Sequence, residues 1–350
     1  MLQKAPAGAR PLTSHNPNIT IYNGSNHIPD ENYEEITPLG ITSLAIQISI
    51  VVLSVICNSL VIATIVGYRR LHNNTNYLVV NQCVVDFLFA TLIIAVYPIQ
   101  ALLGYWPFIK EWCAIHYCLS IGLVMVSILN LCAISFDRYI AICHPYHHPR
   151  LMTKKSLIII LLFVWIQPLL ISLLPIMLWR TDHDLPFGIC SYDINRSLIQ
   201  ERVYLASFLM INYVIPAFIM LLLYSLIFRT ACRQVHQINK QNMISSSSLS
   251  DSIRAHKTSD KDIKLVLLFL AIVGTLYICW TPLYTLMMIS YFDVFYQPHI
   301  GTFVAIMLAF SNCAINPIIY SCSNAPIRKG LFKLLGIKVN IRSERYVTTV

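Results

Sequence analysis

Charge is what this chain has least of. Of its 350 residues only 12% are Asp, Glu, Lys or Arg, against 56% hydrophobic, a balance that excludes an ordinary soluble domain. Internal repeats are missing too, which argues against the repeat-built transporters. No charged ring or carbonyl-rich stretch could serve as an ion filter, and no nucleophile–base constellation could serve an enzyme. No cleavable signal peptide precedes the first apolar block. Residues 1–41 are polar, hold five prolines and carry an acidic cluster at Asp30, Glu31, Glu34 and Glu35, so the first span is expected to act as its own signal-anchor.

What the chain does have is seven apolar blocks, at about 42–67, 77–103, 113–143, 157–179, 202–228, 263–290 and 299–321. Each approaches the roughly 20 residues that cross a bilayer as a helix. The expected fold is an all-α membrane protein, a seven-helix transmembrane bundle. With the N-terminus outside, the outer segments hold six Lys/Arg against ten Asp/Glu, and the cytosolic segments nineteen against five. Positive residues stay inside, which predicts a multi-pass plasma-membrane protein with a cytoplasmic C-terminus. The basic excess then reads as an inner-leaflet surface and a cytosolic partner, not a nucleic-acid site. Sequons at Asn18, Asn23 and Asn195 fall outside, as N-glycosylation requires. A fourth, Asn73-Asn74-Thr75, falls in the cytosol and reads as a chance match.

The chain divides into an extracellular tail (1–41), the transmembrane domain (42–323), a membrane-surface helix (324–335) and a cytoplasmic tail (336–350). Within the domain, 229–262 is a flexible third cytoplasmic loop whose serine run reads as a plain linker or as candidate phosphosites. In the surface helix Ile327, Leu331, Leu334 and Leu335 share one face. The terminal Thr348-Thr349-Val350 suits capture by a PDZ domain. Most of the eleven cysteines lie inside spans as small buried hydrophobes. Cys113, at the outer mouth of the third span, and Cys190, in the outer loop before the fifth, are expected to pair, with Cys118 the competitor.

Polar residues inside the membrane carry the functional information. Asn58 sits in the first span and Asp86 in the second, where a carboxyl must be protonated, hydrogen-bonded or bound to a cation. Its candidate partners are Asn58, Ser127, Asn312 and Asn316, forming either a structural network or a sodium- or proton-linked switch. The third span ends in Asp137-Arg138-Tyr139; Arg138 can neutralise its neighbour or reach Asp262 at the start of the sixth span. Pro168, Pro175, Pro216 and Pro282 kink spans four to six, and Trp280 stands beside the last. Span seven carries Asn312 and then Asn316-Pro317-Ile318-Ile319-Tyr320.

Together with Trp106, Trp165 and Tyr224, these signatures give one marker or more per helix in the right order, and the chain resembles the rhodopsin-like (class A) G-protein-coupled receptors over about 42–335. The resemblance implies a ligand seated between spans three, five, six and seven, above Trp280. It implies switch residues at Asp137, Arg138, Tyr139, Tyr224, Asp262, Trp280, Pro282, Asn316, Pro317 and Tyr320. Arg138 would leave Asp137 and Asp262 as the foot of span six swings outward, and Tyr224 and Tyr320 would turn inward. A heterotrimeric G protein would enter that cleft, with arrestin and receptor kinases as further partners. A sodium ion at Asp86, Ser127, Asn312 and Asn316 would favour the resting state. Departures from the family pattern are Leu276 for a phenylalanine, Cys313 for a serine, Ile327 for a phenylalanine, and no cysteine after the surface helix to carry a palmitoyl anchor.

Two ligand classes are argued against. No lysine lies between Lys264 and Arg328, and Phe310 stands where opsins carry theirs, so retinal has no Schiff-base partner. No acid lies between Trp112 and Ser135, and Ser120 stands where aminergic receptors carry aspartate. The pocket candidates are Tyr97, Gln100, Tyr117, Ser120, Ile121 and Phe208, with Asn212, Trp280, Tyr284, Met287, Ile306 and Phe310. They are aromatic with a few uncharged hydrogen-bonders, under a rim bearing Asp182, Asp184, Asp193 and Asp293. A neutral or cationic neuropeptide fits first, a small neutral or lipid-like molecule second. A seven-helix transporter is the alternative of another class.

Overall fold

A computed structural model describes residues 38–103, 105–178, 199–244, 270–289 and 299–337. Asn18, Asn23, Asp182, Asp184, Cys190, Asp193, Asn195, Asp262, Asp293 and Thr348–Val350 lie outside the described residues. Among those described there is no strand. Among the described residues seven helices are long and apolar enough to cross a membrane: Gly40–Gly67, Asn74–Leu103, Glu111–Cys143, Lys154–Leu174, Ala206–Arg233, Leu270–Ile289 and Ile300–Cys322. In hydrocarbon every backbone N–H and C=O must be satisfied within the protein, and the helix does this residue by residue.

The third span is the axis of the bundle. Spans two, four and five pack on it, and 61% of its apolar window is buried, against 22% for the fourth. The fourth turns Ile159, Phe163 and Leu170 outward, the apolar face that lipid would cover. Its helix starts at Lys154, three residues before the expected 157, because the Thr153 hydroxyl accepts the Ser156 N–H at 3.2 Å and caps it.

Prolines shape the other spans. Span two contains a wide π-type turn at Ala90–Ile94 before Pro98, and span five one at Met210–Val214 before Pro216. A proline has no N–H to offer the carbonyl four residues back, and a wide turn spreads that misfit. In span seven Pro317 strips Cys313 O of its helical donor. The fully buried Asn58 supplies one: its Nδ2 donates to Cys313 O at 3.0 Å and to Ser54 O at 2.8 Å. One amide in span one thereby repairs the proline defect in span seven and joins the two helices.

One expectation is corrected. Residues 229–262 read as a flexible loop, but the fifth helix continues from Ile215 to Ile244. Residues 229–244 contain neither Pro nor Gly and are rich in Arg, Lys and Gln, good helix formers that extend an established helix. Past span seven, Ala325–Leu334 form the surface helix, with Asn324 Oδ1 accepting the Ile327 N–H at 3.3 Å. It ends at Gly336, whose φ of 70° is the left-handed stop that glycine adopts without strain. Gly330 lets it lie on span one, since a Cβ there would sit 2.7 Å from Thr64 Cγ2. Ile327 is fully buried in that seam, while Leu334 and Leu335 are exposed.

Candidate functional site

At the inner end of span three, Asp137 is completely buried beside a slightly exposed Arg138. Arg138 donates to Asp137 Oδ2 from Nε at 3.0 Å and from Nη2 at 2.5 Å. Two side chains that sequence reasoning missed complete the cluster. The Thr75 hydroxyl, at the start of span two, donates to Asp137 Oδ2 at 2.7 Å and accepts from Arg138 Nη2. His148, opening the short helix His148–Leu151, contacts Asp137 Oδ1 through Nε2 at 2.9 Å. The carboxylate is thus held from span two, span three and the loop beyond it. Thr75 belongs to the sequon read as a chance match. Asn73 caps span two by accepting the Asn76 N–H at 2.8 Å, and Asn74 Nδ2 donates to Met152 O. Tyr139 points elsewhere, its hydroxyl 3.3 Å from His144 Nε2.

Midway through the bundle lies a second buried acid. Asp86 Oδ2 accepts from Asn316 Nδ2 at 2.9 Å and Oδ1 accepts from Gln82 Nε2 at 3.3 Å. Gln82 Nε2 also donates to Ser127 Oγ at 2.6 Å, while its Oε1 accepts from Asn130 Nδ2 at 2.9 Å. Asn130 Oδ1 accepts from Asn81 Nδ2 at 3.0 Å, and Asn81 Oδ1 from the Trp165 indole at 2.8 Å. Of these, Gln82, Asn81 and Asn130 were not anticipated. Stripping an acid of water costs several kcal/mol, and hydrogen bonds to a charged group return about 1.5–3 kcal/mol each. Asn312 lies buried nearby, and Oδ1 of both Asn312 and Asn316 has no partner among the described residues. Below this layer the hydroxyls of Ser135 and Tyr224 share a 3.2 Å hydrogen bond, and Tyr320 is buried with its hydroxyl likewise unpartnered.

The outer half is built from rings. Trp106, His116, Tyr97 and Phe310 follow one another at 5.8, 5.8 and 5.4 Å. Phe310 meets Phe89 at 6.1 Å, Phe89 meets Trp280 at 6.2 Å, and Trp280 meets Tyr284 at 5.8 Å. Tyr284 closes on Tyr213 of span five at 4.3 Å. The chain crosses the bundle from the first outer loop to span five, mostly edge-on or tilted as ring quadrupoles prefer. His116, Phe89 and Tyr213 were missed. His116 lies one turn from Ser120, so helical spacing along span three could have found it. Of the expected pocket residues, Phe208, Asn212, Trp280, Tyr284 and Phe310 are buried, Gln100, Tyr117, Ser120, Ile121, Met287 and Ile306 half-buried, and Tyr97 exposed. The Ser120 hydroxyl donates to Tyr117 O at 2.7 Å, and Asn212 Nδ2 to Phe208 O at 3.0 Å. Asn212 Oδ1 is buried without a partner among the described residues. Both side chains therefore spend donors on their own helix and retain acceptor capacity. At the outer mouth Cys113 is disulfide-bonded, whereas Cys118 is a free thiol.

The sequence profile described as "7 transmembrane receptor (rhodopsin family)" matches residues 57–320. This chain belongs to that family. The receptor is 28% identical over 318 residues to the alpha-1A adrenergic receptor of Bos taurus, covering 83% of this chain and 66% of that protein. It is 31% identical over 332 residues to the D(1A) dopamine receptor of Xenopus laevis, with 83% and 71% covered. The receptor thus spans about two thirds of the length of the adrenergic relatives it matches. Like them it belongs to a family of receptors, not enzymes. These aminergic names run against the expectation that set the chain apart from aminergic receptors. Identity over more than 300 residues weighs the shared framework of the bundle, whereas that expectation turned on the lack of an acid between Trp112 and Ser135, with Ser120 at the decisive position.

Proposed function

We propose that this receptor converts binding of an extracellular ligand, a neutral or cationic neuropeptide, into activation of a heterotrimeric G protein at its cytosolic face. The observation that carries the reading is the buried Asp137–Arg138 pair, braced by Thr75 and His148 at the feet of spans two and three. A charge pair at a water boundary can open at modest cost, because each partner is resolvated as it leaves. The ligand need only favour the open arrangement over the closed one. Its seat is the ring-lined outer half, where Ser120 Oγ and Asn212 Oδ1 remain as acceptors and invite a ligand that donates, such as a peptide N–H. The same reading carries an outer N-terminus, a Cys113–Cys190 disulfide, glycosylation at Asn18, Asn23 and Asn195, arrestin and receptor kinases as cytosolic partners, and a PDZ partner at Thr348–Val350.

An aminergic ligand is the second reading, favoured by the adrenergic and dopamine relatives. Against it stands Ser120, which offers an amine a hydroxyl oxygen and no charge. The deciding experiment is nucleotide exchange on purified G proteins with the receptor in nanodiscs, screened against a peptide library and an amine panel. Exchange driven by peptides and lost in Arg138→Ala supports the proposal. Exchange driven by amines alone overturns the ligand class, and no exchange under any condition overturns the receptor mechanism.

A further inference from the structure

The resemblance implies a sodium ion held by Asp86, Ser127, Asn312 and Asn316, and the donor set around Asp86 does not fit it. An ion joined to Asp86 and Ser127 must lie between the two oxygens. That position is spanned by the Gln82 amide, with Nε2 at 3.3 Å from Asp86 Oδ1 and 2.6 Å from Ser127 Oγ. The other carboxylate oxygen accepts from the Asn316 amide. Both oxygens therefore face N–H hydrogens, which repel a cation.

The polarity of the Gln82 amide is fixed from both ends. Leu78 O can only accept, so Asn130 turns Nδ2 toward it at 3.0 Å and toward Gln82 at 2.9 Å. Gln82 must answer with Oε1, which leaves Nε2 for Asp86 and Ser127. Behind Asn130, Asn81 and the Trp165 indole point their donors the same way. Four successive hydrogen bonds, from Trp165 to Asn81, Asn130, Gln82 and the carboxylate, run in one direction, so each amide dipole polarises the next and presents its positive end to Asp86. Gln82 and Asn130 are fully buried, so bulk water does not screen the two amides nearest Asp86.

We infer that Gln82 takes the place of the cation: an amide relay from span four, fixed in direction, compensates Asp86, and sodium does not bind this core. The remaining acceptors, Asn312 Oδ1 and Asn316 Oδ1, join Asp86 and Ser127 as a cation site only when the Gln82 amide is removed.

The test is thermal unfolding of the purified full-length receptor without ligand, in sodium chloride and in N-methylglucamine chloride of equal ionic strength. The wild-type midpoints should coincide. Gln82→Leu should gain a saturable sodium-dependent rise of about 3 °C or more, as a newly occupied site gives, and adding Asp86→Asn should abolish it. Gln82→Met, which keeps the length of the side chain, is the second variant should the first not fold. A saturable sodium-specific rise in the wild type overturns the inference, as does a folded Gln82 variant that gains none. Sodium-23 NMR line broadening decides without any Gln82 variant: broadening unchanged by Asp86→Asn supports the inference, and broadening relieved by it overturns it.

Discussion

Asp86 and Asp137 are both buried inside this bundle, and the protein compensates them in opposite ways. Asp86, at 2% exposure, is met by neutral side chains, the amides of Gln82 and Asn316. Asp137 is met by a guanidinium, an imidazole and a hydroxyl, and two of those partners reach the surface, with Arg138 15% and His148 27% exposed. Amides locked in a relay have nowhere to go, since breaking one bond orphans the next. A charged partner at the membrane edge can be handed to water. The middle of the bundle is thus closed by partners that cannot leave singly, and its inner mouth by partners that border water.

The comparison breaks most severely at Arg138. Arg138→Ala should lower G-protein nucleotide exchange per folded receptor at least about tenfold, equivalent to 1.4 kcal/mol or more, a loss of function larger than its loss of stability. Exchange at wild-type levels in the folded variant would remove the inner mouth from the mechanism. Asn130→Leu should do the reverse. It orphans Gln82 Oε1 and the Asn81 amide at about 1–3 kcal/mol each, and should lower the midpoint by about 5 °C or more before any effect on basal exchange. A midpoint within a degree of wild type would show that the relay holds nothing together.

Smaller effects sharpen the contrast. Thr75→Val keeps shape but deletes a hydroxyl that both donates to Asp137 and accepts from Arg138. Loss of about 1 kcal/mol from the closed state should raise ligand-free exchange about fivefold. Unchanged or reduced basal exchange would contradict the role assigned to Thr75. His148→Phe should raise it about twofold, since the contact is partly exposed and worth less. His148→Gln, which retains a donor, should behave as wild type. Equal behaviour of Phe and Gln at 148 would mean the contact is incidental.

Much of this molecule is legible in the residues themselves. The seven spans follow from apolar blocks, because burial in hydrocarbon leaves a helix as the available local answer. Asp137 beside Arg138 needs no folding to be noticed. Thr75 and His148 were invisible by the same standard, lying 62 and 11 residues from Asp137 in sequence. Their arrival depends on how span two registers against span three and how the loop folds back. Residues 229–244 show the opposite error: their polarity reads as loop, but a helix already nucleated upstream extends through them.

The sequence by itself determined the architecture, the family and the two acidic positions, because apolar length, charge placement and motif order are local properties that survive any arrangement of helices. Only the tertiary structure decided what each acid meets. Gln82 is one more buried polar residue until helix packing sets its amide between Asp86 and Ser127. Hydrogen bonds act over about 3 Å, and no pattern along one chain specifies which groups from other helices will come that close.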